Sequence, residues 1–290
     1  MLLKHEKVWI AGASGQVGSA FAKMLDTTAI DVLLTDIDDV DITDMDAVRD
    51  YAEMTRPDVI INCAGVSGLD FCQKNKDLAY SVNAIGARNL SVAARIVHAE
   101  IIHISTDDIF DGTSDEPYDE FCQPSPISVY GKSKLAGEDF VRTIAPKHLI
   151  IRSSWVYGNG QNFVTDLLAH AKEGKPFSVP KGQIGCPTSA IEVAKVIGRL
   201  LEKDAYGTYN AVCQGSCSRM EFARKILELC KLDIPLIESD ENTVGRPSYS
   251  VLDNLMLRLN HIELPQNWED ALKFYLRSEG YVFTDSEVAK

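Results

Sequence analysis

Lys7-Val8-Trp9-Ile10-Ala11-Gly12-Ala13-Ser14-Gly15-Gln16-Val17-Gly18 decides the fold of this 290-residue chain. Lys7–Ala11 is a short apolar run and reads as a strand. A glycine-rich turn follows, and Ser19–Leu25 then reads as a helix. Strand, glycine turn and helix in that order open a dinucleotide-binding unit. The glycines let backbone approach a pyrophosphate closely, and the helix N-terminus offers N–H groups and the positive end of a dipole. The spacing is G-x-x-G-x-x-G rather than G-x-G-x-x-G, so the flanking elements matter more than the triplet. Gly12, Ser14, Gly15, Gln16, Val17 and Gly18 are the candidate cofactor-binding residues of this turn.

Downstream, Asp31–Asp36 (DVLLTD) reads as the second strand. Its end lies 24 residues past Gly12 in an acidic group, Asp36, Asp38, Asp39 and Asp41. A carboxylate near this point can accept bonds from an adenosine ribose. Asp36 is the first candidate, with Asp41 and Ile42 further along the same turn. The other reading, open for most of the four aspartates, is that they are solvated loop carboxylates. No arginine lies between Gly12 and Arg49 to hold a 2′-phosphate, so electrostatics favour NADH over NADPH. Thr43 and Asp46 have the spacing of an N-cap and its N3 partner for a helix over Asp44–Thr55, which Pro57 stops. Asp58–Cys63 (DVIINC) is a third strand, ending in Ala64-Gly65, where small residues again admit a ligand. Asp77–Ala99 reads as one long helix, with Asn83 inside its apolar stripe as a candidate cofactor contact. Glu100–Ser105 (EIIHIS) is a fourth strand, and His103 between its isoleucines reads as a core histidine. Thr106–Pro126 is a long loop, Ile127–Ala145 a helix, and His148–Ser153 (HLIIRS) a fifth strand. Strands alternating with helices imply an α/β fold with a doubly wound parallel sheet.

After Ser154 the character changes. Phe163–Lys172 reads as a helix, Phe177–Pro180 as a strand, Gly182–Thr188 as a glycine-containing loop and Ala190–Glu202 as an amphipathic helix. Gly207–Val212 reads as a strand. Ser218 and Glu221 form a capping box for a helix to Leu232, and a last helix, Trp268–Leu276, precedes a polar tail. The expected division is a dinucleotide-binding domain over 1–155, with 184–214 and about 240–257 returning to it. Residues 156–183 and 215–290 would form a smaller substrate lobe over the C-terminal ends of the strands, where ligands bind in such folds.

Composition narrows the class. Apolar residues make 45% of the chain and charged residues 24%, ordinary for a globular protein. The net charge of −13, with no basic run, argues against nucleic acid or an anionic membrane as partner. No apolar run approaches a bilayer span, and no signal-peptide pattern precedes the first strand, so a cytoplasmic location is expected. The seven cysteines contain no C-x-x-C, and no metal site is expected.

The chemistry sits in Ser105–Lys134. Tyr130 and Lys134 are four residues apart, on one helix face. A phenol with an ordinary pKa near ~10 is a sluggish acid at neutral pH, and a nearby cation lowers that value. Ser105 and Thr106 bring hydroxyls to the end of the fourth strand. Together with the glycine turn, this constellation resembles the extended short-chain dehydrogenase/reductases. Within them the match is to the dTDP-4-dehydrorhamnose reductase family, through STDDIFDG at 105–112, VYGKSKLAGE at 129–138, RSSWVYG at 152–158, GQIGCPTSA at 182–190 and RPSYSVLDN at 246–254.

The resemblance implies hydride transfer from NAD(P)H to the 4-keto group of a dTDP-sugar, dTDP-4-dehydro-L-rhamnose. It implies Thr106, Tyr130 and Lys134 as the catalytic set. Tyr130 would donate the proton, Lys134 would lower its pKa and bond the nicotinamide ribose, and Thr106 would bond the keto oxygen. Ala64, Gly65 and Asn83 would line the cofactor. Thr106, Asp107, Trp155, Gln183, Thr188 and Arg246 are the candidate substrate contacts, Arg246 for the diphosphate. The expected partner is this small nucleotide sugar, with the chain a monomer or homodimer. Two alternatives stay open: a related 4-ketoreductase or epimerase, and a catalytically silent binding subunit of the same fold.

Overall fold

The computed structural model describes residues 7–240 and 245–281. The parts of the expected domains and of the polar tail at 1–6, 241–244 and 282–290 lie outside the described residues. Six strands form one parallel sheet: β1 (Lys7–Ala11), β2 (Asp31–Thr35), β3 (Val59–Asn62), β4 (Glu100–Thr106), β5 (His148–Ser153) and β6 (Gly207–Asn210), in the order β6-β5-β4-β3-β1-β2. The strand order reverses between β1 and β3, so the sheet is doubly wound. The sixth strand pairs with β5 at the sheet edge, with Tyr209 beside Ile151.

Strands buried on both faces carry apolar residues at successive positions. In β1, Val8 and Ile10 enter one core layer, while Trp9 and Ala11 enter the other. The first layer is closed by α1 (Gln16–Met24) and α6 (Ala190–Glu202), with Phe21, Val193 and Ile197 fully buried. The second is closed by α2 (Met45–Thr55), α3 (Ala87–Val97) and α4 (Val129–Ile144). Trp9 donates its indole N–H to Thr35 Oγ1 at 2.7 Å, which satisfies the one polar atom it buries.

Two expectations are corrected here. The cap of α2 is Asp44, whose Oδ1 accepts from Asp46 N at 2.9 Å and Ala47 N at 3.2 Å. Thr43 instead donates its hydroxyl to Asp41 Oδ1 at 2.8 Å, one residue before the cap. The long helix over 77–99 is also not uniform. Lys76–Tyr80 is α-helical, Ser81–Gly86 is a π-turn, and α3 follows.

A second core lies beyond the C-terminal edge of the sheet. It gathers Val164, Leu167 and Leu168 of α5 (Phe163–Lys172), Phe222 and Ile226 of α7 (Arg219–Cys230), and Leu272, Tyr275 and Leu276 of α8 (Trp268–Ser278). Phe177–Pro180 pairs in parallel with Leu236–Ser239 on its flank. The Ser218/Glu221 box is formed, with Glu221 N donating to Ser218 Oγ at 3.1 Å and Ser218 N to Glu221 Oε2 at 2.7 Å.

The 107–126 loop is a strap between sheet and lobe. Phe110 stacks on Tyr118 with ring centroids 4.3 Å apart. Tyr118 exchanges backbone bonds with Val251 and Asp253, and Glu120 accepts from Asn210 N at 2.8 Å and Met256 N at 3.1 Å. Gly112 has φ +80°, and a Cβ there would lie 2.7 Å from Pro247. The Phe110-Asp111-Gly112 run thus fixes the segment that carries Arg246.

Candidate active site

A cleft of about 840 Å³ opens where the strand order reverses, between the sheet and the lobe. One end is built by the glycine turn. Gly12 has φ +77°, and a Cβ on it would fall 2.5 Å from Ala64 N. A Cβ on Gly18 would fall 2.4 Å from Gly12 O. The turn therefore draws β1, the β3 end and α1 together closely enough to leave the α1 N-terminus open to the cleft. Ser14, Gly15, Gln16 and Val17 line it, and the buried Gln16 Oε1 has no partner among the described residues. Asp36 closes this end by accepting from Ser14 N at 3.1 Å and Ser14 Oγ at 2.9 Å. Free N–H groups at a helix N-terminus beside a carboxylate fit the pyrophosphate and ribose of a dinucleotide.

Ala64, Gly65 and Asn83 line the cleft floor. Asn83 is 1% exposed; its Oδ1 accepts from Val66 N at 3.0 Å, and its Nδ2 donates to Val66 O at 3.0 Å and Ser133 Oγ at 2.9 Å. Its side chain thus ties the 64–66 loop to α4. Asp41 and Ile42 do not reach the cleft. Asp41 Oδ1 accepts from Thr43 N and Oγ1, and the Ile42 side chain fills the space that a Cβ on Gly86 would take. Thr188 is also outside it. Its hydroxyl is fully buried, donating to Cys186 O at 2.9 Å and accepting from Cys213 N at 3.3 Å.

Thr106, Tyr130 and Lys134 all line the cleft, with Thr106 in hydrogen-bonding reach of the Tyr130 phenol. Ser128 caps α4, accepting from Gly131 N at 2.9 Å, and so aims the first turn of the helix at the end of β4. A Cβ on Gly131 would collide with Asp108 O, so glycine lets that turn approach. The helix is held down by the fully buried Glu138. Its carboxylate accepts from Arg152 Nε at 3.0 Å and Nη2 at 2.8 Å, and from Ser105 Oγ at 2.5 Å. Lys134 Nζ donates to the Ile104 carbonyl.

The electrostatics differ from the expectation. Burial, followed by the charge of Asp108, pushes the Tyr130 phenol above its ordinary value; Thr106, in hydrogen-bonding reach, acts in the other direction, as does Arg246. Lys134 is not among the main charges acting on the phenol, since its ammonium is turned to the strand carbonyl. Burial lowers the lysine itself to about 8, opposed by Glu138. Tyr130 is accordingly protonated at neutral pH, the state a proton donor needs. His103 is a core residue, its Nδ1 paired with Asn62 Nδ2 at 3.0 Å and its pKa held well down by burial and then by Lys134.

Asp107, Trp155, Gln183 and Arg246 line the lobe side. Trp155 has φ +45°, which turns its indole under Gly185, where a Cβ would lie 2.5 Å from the ring. Asp107 accepts from Ser154 Oγ at 2.7 Å and Thr106 Oγ1 at 3.2 Å. Arg246 Nη2 lies 3.7 Å from Asp108 Oδ2. Sequence reasoning missed Arg219, the first residue of α7, whose guanidinium lies 3.5 Å from the Trp155 ring centroid.

The chain matches the RmlD substrate binding domain family over residues 6–280. It is 34% identical to the spore coat polysaccharide biosynthesis protein SpsK of Bacillus subtilis, over 93% of this chain and 97% of that one. It is 35% identical to the dTDP-4-dehydrorhamnose reductase of Aggregatibacter actinomycetemcomitans, over 92% of this chain and 97% of the relative. A dTDP-4-dehydrorhamnose reductase of Bacillus anthracis, solved in complex with NADP, superposes with a TM-score of 0.91 at 39% identity, covering 94% of this chain and 99% of that one. These findings establish that the chain belongs to the RmlD substrate binding domain family, that of the dTDP-4-dehydrorhamnose reductases.

Proposed function

We propose that the protein reduces the 4-keto group of dTDP-4-dehydro-L-rhamnose to give dTDP-L-rhamnose. The observation that carries this reading is that Thr106, Tyr130 and Lys134 line one cleft with an open helix N-terminus and Trp155. A reduced nicotinamide, when bound, supplies the hydride. Gly12, Ser14–Gly18 and Asp36 would hold its dinucleotide, with Ala64, Gly65 and Asn83 lining the path to the centre. Thr106 orients the keto oxygen by a hydrogen bond. Tyr130, kept protonated by its buried setting, gives its proton to that oxygen as negative charge develops there. Lys134, anchored on the Ile104 carbonyl, would bond the nicotinamide ribose. Trp155 walls the sugar from water.

Asp36 supports a preference for NADH. Its carboxylate bonds Ser14, which lines the cofactor end of the cleft, and a 2′-phosphate beside it would meet like charge. The Bacillus anthracis relative was solved with NADP, so both cofactors are assayed side by side.

The test is NADH oxidation followed with dTDP-4-dehydro-L-rhamnose, beside Tyr130→Phe. Removing a general acid should lower kcat by about 100-fold or more with NADH affinity little changed. Wild-type protein that binds NADH and the sugar nucleotide without turnover would instead be a silent binding subunit. NADPH used a hundredfold better than NADH would overturn the reading of Asp36.

A further inference from the structure

Asp108 is 5% exposed and lines the cleft, yet among the described residues its carboxylate accepts no hydrogen bond. Arg246 Nη2 stands 3.7 Å from its Oδ2, too long for one. Its neighbour Asp107 is satisfied by contrast, with Oδ2 accepting from Ser154 Oγ at 2.7 Å and Oδ1 from Thr106 Oγ1 at 3.2 Å. Buried polar groups are normally paired, and a carboxylate left without donors costs stability. Burial accordingly raises the Asp108 carboxyl to about 6, so it is mainly ionised at neutral pH. A position that breaks a local rule with no gain in stability is where function is expected.

The backbone around Asp108 is tightly fixed. Its N–H donates to Thr106 Oγ1 at 3.2 Å, and its carbonyl occupies the space that a Cβ on Gly131 would take. The carboxylate is thus held beside the first turn of α4, and its charge is the strongest of those acting on the Tyr130 phenol. The phenol in turn marks where the keto oxygen lies during proton transfer. A substrate donor that reaches Asp108 therefore sits next to the reacting carbonyl. In a 6-deoxy-4-keto sugar, C5 bears only the ring oxygen and the methyl group. The C3 hydroxyl is then the one donor on a carbon adjacent to C4.

We propose that Asp108 accepts a hydrogen bond from the C3 hydroxyl of the sugar, and so selects 4-keto sugars that keep a free hydroxyl beside the carbonyl. This inference rests on the proposed function. An ionised carboxylate is an acceptor only, so a C–H in place of the hydroxyl leaves it unpaired. The bond is charge-assisted, which makes its loss costly. With Thr106 and Tyr130 on the keto oxygen, Asp108 fixes the ring at two adjacent oxygens and so sets the face offered to hydride.

The experiment compares kcat/KM for dTDP-4-dehydro-L-rhamnose and its 3-deoxy analogue, at saturating NADH, in wild type, Asp108→Asn and Asp108→Ala. Wild type should favour the hydroxylated sugar by about ten- to hundredfold. Each variant should lose most of that preference through its loss on the hydroxylated sugar, with NADH affinity unchanged. Wild type that reduces both sugars equally well would overturn the assignment and leave the reductase reading intact. So would variants that keep the wild-type preference, whatever their overall rate. Variants that bind NADH tenfold more weakly would also overturn it, because the nicotinamide carboxamide would then be the donor. Wild type that reduces neither sugar would overturn both readings.

Discussion

Replacing Glu138 by alanine tests how the catalytic helix is held to the sheet. Glu138 is fully buried, and Arg152 beside it is 2% exposed. Two hydrogen bonds, at 3.0 and 2.8 Å, join them in a fork. Taking away the carboxylate leaves a guanidinium without compensation, and breaking a buried pair in this way costs about 3–5 kcal/mol. The unfolding entropy of a 290-residue chain is about 0.6 kcal/mol/K, from roughly 2.1 cal/mol/K per residue. The melting temperature should therefore drop by about 5–8 °C in a circular dichroism melt. The double variant Glu138→Met with Arg152→Leu removes both charges and fills the space, and should recover most of the loss. Activity should not recover with it, because Ser105, which donates to Glu138 at 2.5 Å, sits beside Thr106 and loses its anchor. A single variant melting within about 2 °C of wild type would refute the reasoning, since the pair would then carry no net penalty on breaking. So would a double variant as unstable as the single one.

Asp108→Asn should stabilise the protein at neutral pH. Burial, offset in part by Arg246, raises the Asp108 carboxyl from 3.8 to about 6, so the folded state holds this proton more tightly than the unfolded state. The charged form is penalised in full above pH 6, and the penalty fades as pH falls toward 4. Urea titrations should show the asparagine variant ahead by up to about 3 kcal/mol at pH 7.5 and level near pH 4; a gap that widened on acidification would contradict this. Gly18→Ala would set a Cβ 2.4 Å from the Gly12 carbonyl, a backbone atom that cannot turn away. Fluorescence titration should find NADH binding weaker by tenfold or more in protein that remains folded by circular dichroism, and unchanged affinity would remove the glycine turn from the cofactor site.

The fold was legible where local pattern and tertiary demand coincide. KVWIA followed by a glycine turn has one reading because a strand buried on both faces must be apolar throughout and the turn must admit close backbone approach. The Tyr130/Lys134 pair was legible because helix geometry alone puts both on one face. Other parts depend on distant partners. Thr188 reads as a polar pocket residue, yet its hydroxyl is taken by Cys186 and Cys213. Arg219 reads as an ordinary first-turn residue of a capped helix, and only the fold brings it onto Trp155, 64 positions earlier in the chain. Thr43 reads as the cap of the second helix, whereas Asp44 one position on takes that place and Thr43 bonds Asp41. The tuning of the phenol also eluded the sequence. Spacing puts the lysine nearby, but not which acceptor its ammonium selects.

The π-turn at Ser81–Gly86 has a consequence for how this helix can vary. A π-turn holds one residue more than an α-turn. The chain beyond it is therefore rotated by roughly 100° against the phase of a continuous helix. Within the turn, Asn83 points at Val66 and Ser133; after it, Leu90, Ala93 and Ala94 pack in the layer against the sheet. A single residue thus decouples the phase of a polar clamp from the phase of an apolar stripe. Deleting one residue between 81 and 86 would merge the two phases, and either the clamp or the stripe would then face the wrong way. Length in this segment is as constrained as identity, whereas the surface loops of the lobe carry no such phase to keep.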